Sequence, residues 1–103
     1  MPIIIMAIDL KRKKLSEEEL EAMLLHKFII RGAWQEYHIY ESDVSKGFPP
    51  HVRNDIMKIA KELKRKGLLI AFPHGKEHVW ILNKDKSNEI IDKVKKFYPG
   101  EYS

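Results

Sequence analysis

The stretch from residue 50 to residue 66 constrains the fold most, because its apolar residues recur with the period of an α-helix. If the helix starts near Pro50, its apolar positions share one side, and they are Val52, Ile56, Ile59, Ala60 and Leu63. Such a side predicts burial in a core. The opposite side carries polar and basic residues, and these are Asn54, Lys58, Lys61 and Arg65. We therefore predict an amphipathic helix at about 50–66 with a basic outer side.

Basic residues are concentrated on this same stretch. The 103-residue chain has a net charge of only +4, which by itself is too small an excess to indicate a nucleic-acid partner. From Lys46 to Lys66, however, seven Lys/Arg stand against Asp55 and Glu62. A local excess of this kind is typical of phosphate-binding surfaces. The alternative is an ordinary solvated helix side, on which Asp55 pairs with Lys58 and Glu62 pairs with Lys66.

A second helix is predicted at 15–31, before the basic one. Ser16 and Glu19 form the pattern of a capping box, and Gly32 supplies a natural helix end. The apolar stripe of this helix is wide, which predicts cover on two sides. A predicted N-terminal strand at 2–9 or a second subunit would provide that cover, and we expect a homodimer through helix 15–31, this strand or the C-terminal helix.

The remaining segments predict short elements. Aromatic and β-branched residues indicate a strand from Trp34 to Tyr40, and a short helix at about Ser42–Lys46 follows, capped by residues such as Ser42. Two apolar runs between residues 68 and 83 flank a Pro/Gly turn and predict a β-hairpin. In its second strand, alternation places Trp80 and Leu82 on one face, with Val79 and Ile81 on the other. The last element is a helix at about 87–98, with Ser87 as its cap.

This order of elements resembles the winged helix-turn-helix family of DNA-binding domains, as found in small archaeal-type transcriptional regulators. The segment 43–69 resembles the family's short helix, glycine-containing turn and recognition helix, and it ends in an LxxKGL motif at 63–68. The segment GKEHVWILN at 75–83 resembles the second strand of the wing. The likeness covers about residues 15–83. Phe48-Pro49-Pro50 stands where the family more often has small polar residues, and the wing is short.

The resemblance implies an α+β fold in one domain spanning residues 1–103. This domain would have a three-helix core and a β-hairpin wing, plus the N-terminal strand and the C-terminal helix. It also implies double-stranded DNA as the partner, because the family's recognition helix enters the major groove. Residues near the start of the helix at 50–66 would then contact bases, and these are His51, Arg53, Asn54 and Met57. Other basic residues would contact phosphates from the helix, the turn or the wing, and these are Lys46, Lys58, Lys61, His74 and Lys76.

Two other binding functions fit the same sequence. A winged helix also serves as a protein–protein interaction module in transcription, replication or RNA-processing complexes, because fold alone does not specify function. The basic helix side would equally suit RNA. Catalysis is not expected, since the chain has no Gly-rich phosphate loop, nucleophile elbow or paired carboxylates in a plausible cleft. We therefore predict neither an enzyme nor a cofactor.

Metal binding and membrane insertion are not expected either. The chain has no cysteine, and His74 and His78, which flank the predicted hairpin turn, are too few for a zinc site of three or four ligands. The apolar run from Ile3 to Ile8 is too short to span a bilayer. We expect a cytoplasmic protein. Its abundant Lys, Glu and Ile, with a single Gln, resemble thermophile composition.

Overall fold

The computed structural model of the chain describes residues 15–102, so the predicted strand at 2–9 lies outside the described residues. Within this part the chain is an α+β structure with four α-helices and one three-stranded antiparallel sheet. The helices are α1 (Glu17–Ile30), α2 (Glu41–Val44), α3 (Arg53–Arg65) and α4 (Ser87–Lys95). The strands are β1 (Ile39–Tyr40), β2 (Leu69–His74) and β3 (Glu77–Leu82). Across residues 15–102, no helix combines the length and the apolar character needed to cross a bilayer.

Helix α1 confirms the predicted helix at 15–31 and its capping box. The Ser16 hydroxyl accepts a hydrogen bond from the Glu19 backbone N–H at 3.1 Å, and the Glu19 carboxylate accepts one from the Ser16 N–H at 3.3 Å. The helix packs against α3, α4 and β3, so that Leu24, Leu25 and Phe28 are fully buried. The wide apolar stripe is therefore covered within one chain. A homodimer stays a prediction.

The predicted strand from Trp34 to Tyr40 is wrong for most of its length. Residues 31–36 form turns, because the end of α1 curls back and the Ala33 N–H donates to the Phe28 carbonyl at 3.0 Å. This bond and the positive φ of 69° at Gly32 complete a Schellman-type helix end. Only Ile39 and Tyr40 pair with β3.

Helix α2 starts at Glu41 and ends at Val44, before the predicted end at Lys46. Its N-cap residue is Tyr40, which makes no side-chain capping bond. Ser42 therefore lies inside the helix, and its prediction as a cap is wrong. The preceding strand β1 runs directly into α2, which leaves no room for a separate capping segment.

Helix α3 confirms the predicted amphipathic helix, although the segment Pro50–Val52 forms a 3₁₀ turn before the α-helix proper. The whole predicted apolar side is buried, namely Val52, Ile56, Ile59, Ala60 and Leu63. Gly67 has a φ of 85°, and the Leu68 N–H donates to the Leu63 carbonyl at 2.9 Å. The glycine therefore ends α3 with a Schellman motif.

The hairpin is confirmed, and β3 lies in the middle of the sheet, in the order β1-β3-β2. A two-residue turn joins β2 to β3, and its first residue, Gly75, has a φ of 67°, as such hairpin turns require. Trp80 and Leu82 belong to the main core on one face. The other face buries Val79 but leaves Ile70 39% exposed.

Helix α4 is shorter than the predicted 87–98, because its α-helical hydrogen bonding stops at Lys95. Lys86 is its N-cap residue and makes no side-chain capping bond, so the prediction of Ser87 as the cap is wrong. The Asn83 side chain instead accepts from the Asp85 N–H at 3.1 Å and caps the 3₁₀ turn that leads into α4. Ile90 and Val94 point into the core and are fully buried.

Candidate nucleic-acid interface

The outer side of α3 is exposed and basic. Asn54, Lys58, Lys61, Lys64 and Arg65 are all exposed, and at 1.5 Å per residue they extend over roughly 16 Å of helix. Within residues 15–102, no acidic side chain lies within ion-pair distance of Lys58, Lys61 or Lys64. These three ammonium groups face solvent, where they could contact an anionic partner.

The ion pairs of α3 differ in their partners from those of the alternative interpretation, although Glu62 and Arg65 still form an ordinary pair three residues apart. Glu62 accepts two short bonds from Arg65, from Nε at 2.8 Å and from Nη2 at 2.6 Å, instead of pairing with Lys66. Hydrogen bonding to Arg65 lowers the pKa of the Glu62 carboxyl. Lys66 instead reaches Glu21 of α1 at 3.0 Å. Lys66 therefore anchors the end of α3, and Arg65 is largely neutralised by its neighbour.

The first turn of α3 presents fewer base-reading side chains than predicted. Arg53 is exposed, but its Nε donates to the Phe48 carbonyl oxygen at 2.9 Å, which ties its guanidinium to the turn before the helix. Met57 is half-buried against the edge of the core. Asn54 is exposed on α3, and His51 is exposed in the 3₁₀ turn. Asn54 is therefore the polar side chain of this turn of α3 that is best placed to meet a partner.

The other predicted contacts lie apart from one another. Lys46 follows α2, where its side chain is 76% exposed and lies 3.8 Å from the Asp43 carboxylate. Lys76 is exposed in the hairpin turn. The His74 ring lies beside those of Tyr40, at 5.9 Å, and His38, at 6.3 Å. Strand alternation puts His74 on the sheet face opposite Trp80, so His74 is not brought together with α3.

A groove between α3 and the hairpin adds residues that sequence reasoning had not assigned to a site. Its volume is about 490 Å³, and its lining residues are Glu41, Lys61, Lys64, Arg65, Ala71, His78 and Trp80. The Trp80 indole N–H donates to the Glu41 carboxylate at 3.0 Å, which fixes the indole against the start of α2. One wall of the groove is therefore an indole held by a hydrogen bond, and its α3 side is basic while Glu41 adds one carboxylate.

Lys64 and Arg65 belong to the predicted helix at 50–66 but are not among its predicted DNA contacts. Alternation along β3 places His78 on the same face as Trp80, and this signal was enough to predict His78 beside the helix. No local signal predicted that Glu41 would join them. In residues 15–102, no group of three or more His, Cys, Asp or Glu side chains could hold a metal ion.

No protein-family model, curated protein or solved structure matches this chain.

Proposed function

We propose that the chain is a winged helix-turn-helix domain that binds double-stranded DNA through the outer side of α3, and that it regulates transcription. The order of elements from α1 to β3 supports this fold, because the family resemblance implies a short helix, a turn, a recognition helix and a hairpin in that order. The central position of β3, between β1 and β2, is also compatible with it.

The observation that carries the proposal is the row of solvent-facing cations on α3 together with the groove beside it. The major groove of B-DNA is about 12 Å wide and admits one α-helix. With α3 in that groove, Asn54 lies at the inserted end and is suited to adenine, while Lys58 and Lys61 lie beside the phosphates. Lys64 and His78, on the rim of the groove, extend this contact toward the hairpin.

A salt series on a random-sequence duplex tests the proposal. Binding that neutralises phosphates releases counterions, so log K falls linearly with log salt, with a slope of about −0.9 for each phosphate contacted. We expect Lys58→Ala/Lys61→Ala to weaken binding and to reduce this slope by about 2. The matched control is Lys84→Ala/Lys95→Ala, which removes the same charge from exposed positions outside α3. No binding at low salt, or equal losses in both variants, would refute DNA binding by α3.

A protein-interaction module is the second candidate, and the outer face of the sheet favours it. Tyr40 and Ile70 are 42% and 39% exposed there, and Phe72 is half-buried between the strands. An interaction module predicts that Tyr40→Ser/Ile70→Ser abolishes partner binding while Lys58→Ala/Lys61→Ala does not. RNA binding through the basic side is separated from DNA binding by competition between duplexes of the same sequence.

A further inference from the structure

Lys27, in the last turn of α1, holds the segment that leads into α3. Its Nζ donates hydrogen bonds to three backbone carbonyls, those of Asp43, Val44 at 2.9 Å and Lys46 at 2.7 Å. These carbonyls belong to the end of α2 and the following turn, where a short helix leaves its last carbonyls without helical partners. The lysine therefore ties α2 and the turn to α1.

The arrangement matches the ammonium form of Lys27. An ammonium group has three N–H donors, one for each carbonyl, whereas a neutral amine has two and would direct its lone pair at an acceptor. The Phe48 ring lies 5.6 Å from Nζ, within range of a cation–π attraction. The three hydrogen bonds and the ring contact are thus contacts that only the ammonium form makes in full.

The contacts of Lys27 continue to α3 through Phe48. The Phe48 side chain is 9% exposed and lies beside Nζ, while its carbonyl accepts the bond from Arg53 Nε at 2.9 Å. Arg53 is the first residue of α3. The position of the α3 N-terminus relative to α1 is therefore set in part by Lys27.

The charge of this lysine responds to pH in the alkaline range. Burial lowers the pKa of the Lys27 ammonium to about 8. Within that shift, repulsion by Arg31, the C-cap residue of α1, and by Lys46 on the turn also lowers the pKa, whereas attraction by Asp43 on α2 raises it. The full set of ammonium contacts is therefore present at neutral pH, and one carbonyl bond and the cation–π attraction are lost as pH rises through about 8.

We propose that Lys27 is a positioning residue for DNA binding, which in its charged form holds the turn and the start of α3 at the angle needed to enter the major groove. The inference rests on the proposed function, because it assigns a role in that same interface. Lys27 itself touches no DNA, and it acts through Phe48 and Arg53.

The linkage between protonation and folding distinguishes this role from a merely stabilising one. The pKa of Lys27 is lower in the folded chain than in the unfolded chain. The unfolded chain therefore binds more protons between about pH 8 and the ordinary lysine pKa near 10.4. The Lys27 contribution to the free energy of unfolding therefore rises with pH across that window. Affinity for DNA is expected to fall over the same window, so the two quantities move in opposite directions.

The test is duplex binding by fluorescence anisotropy at constant ionic strength from about pH 7 to 9.5, for the full chain and two variants. We expect the unsubstituted chain to lose about three- to tenfold in affinity across this range. Lys27→Arg keeps its charge throughout, so its affinity should change much less. Lys27→Met should bind weakly at pH 7 and show no such decline. The N-terminal amine also titrates near pH 8, but it is common to all three proteins.

Each outcome decides a different point. If the unsubstituted chain fails to bind at neutral pH and low salt, the proposed function fails and Lys27 positions nothing. If that chain binds but its pH profile matches that of Lys27→Arg, the positioning role is wrong while DNA binding stands. Unfolding free energies from urea titrations of the unsubstituted chain and Lys27→Arg complete the test. If their difference falls with pH along with affinity, Lys27 acts only through stability.

Discussion

Two lysine-bearing surfaces of this molecule differ in where their charges find partners. On the side formed by α1 and α4, acidic and basic residues meet across helices. Glu21 binds Lys66 at 3.0 Å and Lys93 at 3.1 Å, and Glu18 binds Lys96 at 3.0 Å. On the outer side of α3, Lys58 and Lys61 face solvent. A count of lysines therefore says little about function, because nearby carboxylates decide which lysines are available to a ligand.

Burial strengthens this contrast. The Glu21 side chain is 7% exposed, whereas the Glu62 side chain, paired with Arg65 on α3, is 38% exposed. A carboxylate that is buried away from water is stabilised by its cationic partners. If it is removed, those partners are left without a compensating negative charge. An exposed pair is screened by solvent and contributes little. The α1–α4 side thus uses charge to hold helices together, whereas Lys58 and Lys61 on α3 make no ion pair within residues 15–102.

The largest expected effect is on this buried carboxylate. Glu21→Ala should lower the free energy of unfolding by about 2–3 kcal/mol, because Lys66 and Lys93 both lose their acceptor. The matched control, Glu62→Ala, should cost at most about 1 kcal/mol. Urea denaturation followed by tryptophan fluorescence measures both. Equal losses would remove the distinction between the two surfaces.

A moderate effect is expected where the C-terminal tail meets α1. The Tyr102 hydroxyl lies 2.6 Å from His26 Nδ1, so Tyr102→Phe should cost about 1 kcal/mol of unfolding free energy. The control, Tyr37→Phe, removes an exposed hydroxyl that accepts from Arg31 at 3.2 Å, and it should cost clearly less. If Tyr37→Phe lost more unfolding free energy than Tyr102→Phe, the hydroxyl contact between the tail and α1 would not be the more stabilising of the two.

A smaller effect concerns the pH dependence of stability on the α1–α4 side. Burial lowers the pKa of His26 below its ordinary value, and Glu101, 3.4 Å from Nε2, partly opposes this. The unfolded chain therefore takes up the proton first as pH falls below about 6.5, so stability is lost on acidification. His26→Phe keeps a ring beside Tyr98 and should show a shallower loss between about pH 7 and 5.5. An unchanged slope would assign the acid sensitivity to other groups.

The smallest expected effect is in the groove beside α3. Glu41→Gln keeps an oxygen acceptor for the Trp80 indole but removes the negative charge of Glu41. DNA affinity at low salt should rise about two- to threefold, with little change in stability. The control is Glu36→Gln, an exposed position in the turns after α1. An equal gain in both variants would indicate a general charge effect in place of a contact in the groove.

Local patterns predicted the long elements well, because the apolar periods and glycines used for prediction are also the features that bury and end these elements. The apolar period of α3 predicted its buried side, and Gly32 predicted the end of α1 because it adopts a left-handed conformation. The prediction of a strand from Trp34 to Tyr40 failed, because the hydrogen bonding of the α1 C-terminus competes with the strand-like composition of this segment. The Ala33 N–H turns back to Phe28, and such a bond depends on where the helix stops rather than on β propensity.

The candidate site was predicted in part for the same reason. Helical periodicity was sufficient to place Asn54, Lys58 and Lys61 on one exposed side. Periodicity did not predict the hydrogen bond from Arg53 Nε, because its acceptor is the Phe48 backbone carbonyl in the preceding turn. His74 was predicted as a wing contact from its place in the chain, but strand register turns it to the other face of the sheet.

By itself, the sequence determined where the helices and the hairpin lie and which side of α3 is basic, since these follow from periods and turn residues within single segments. Only the tertiary structure decided which charged side chains form ion pairs or hydrogen bonds within the protein. Lys66 meets Glu21 across 45 positions in the chain, and Lys27 meets the carbonyls at the end of α2. Such pairings depend on how the helices pack, because a lysine reaches whichever acceptor the fold brings near it.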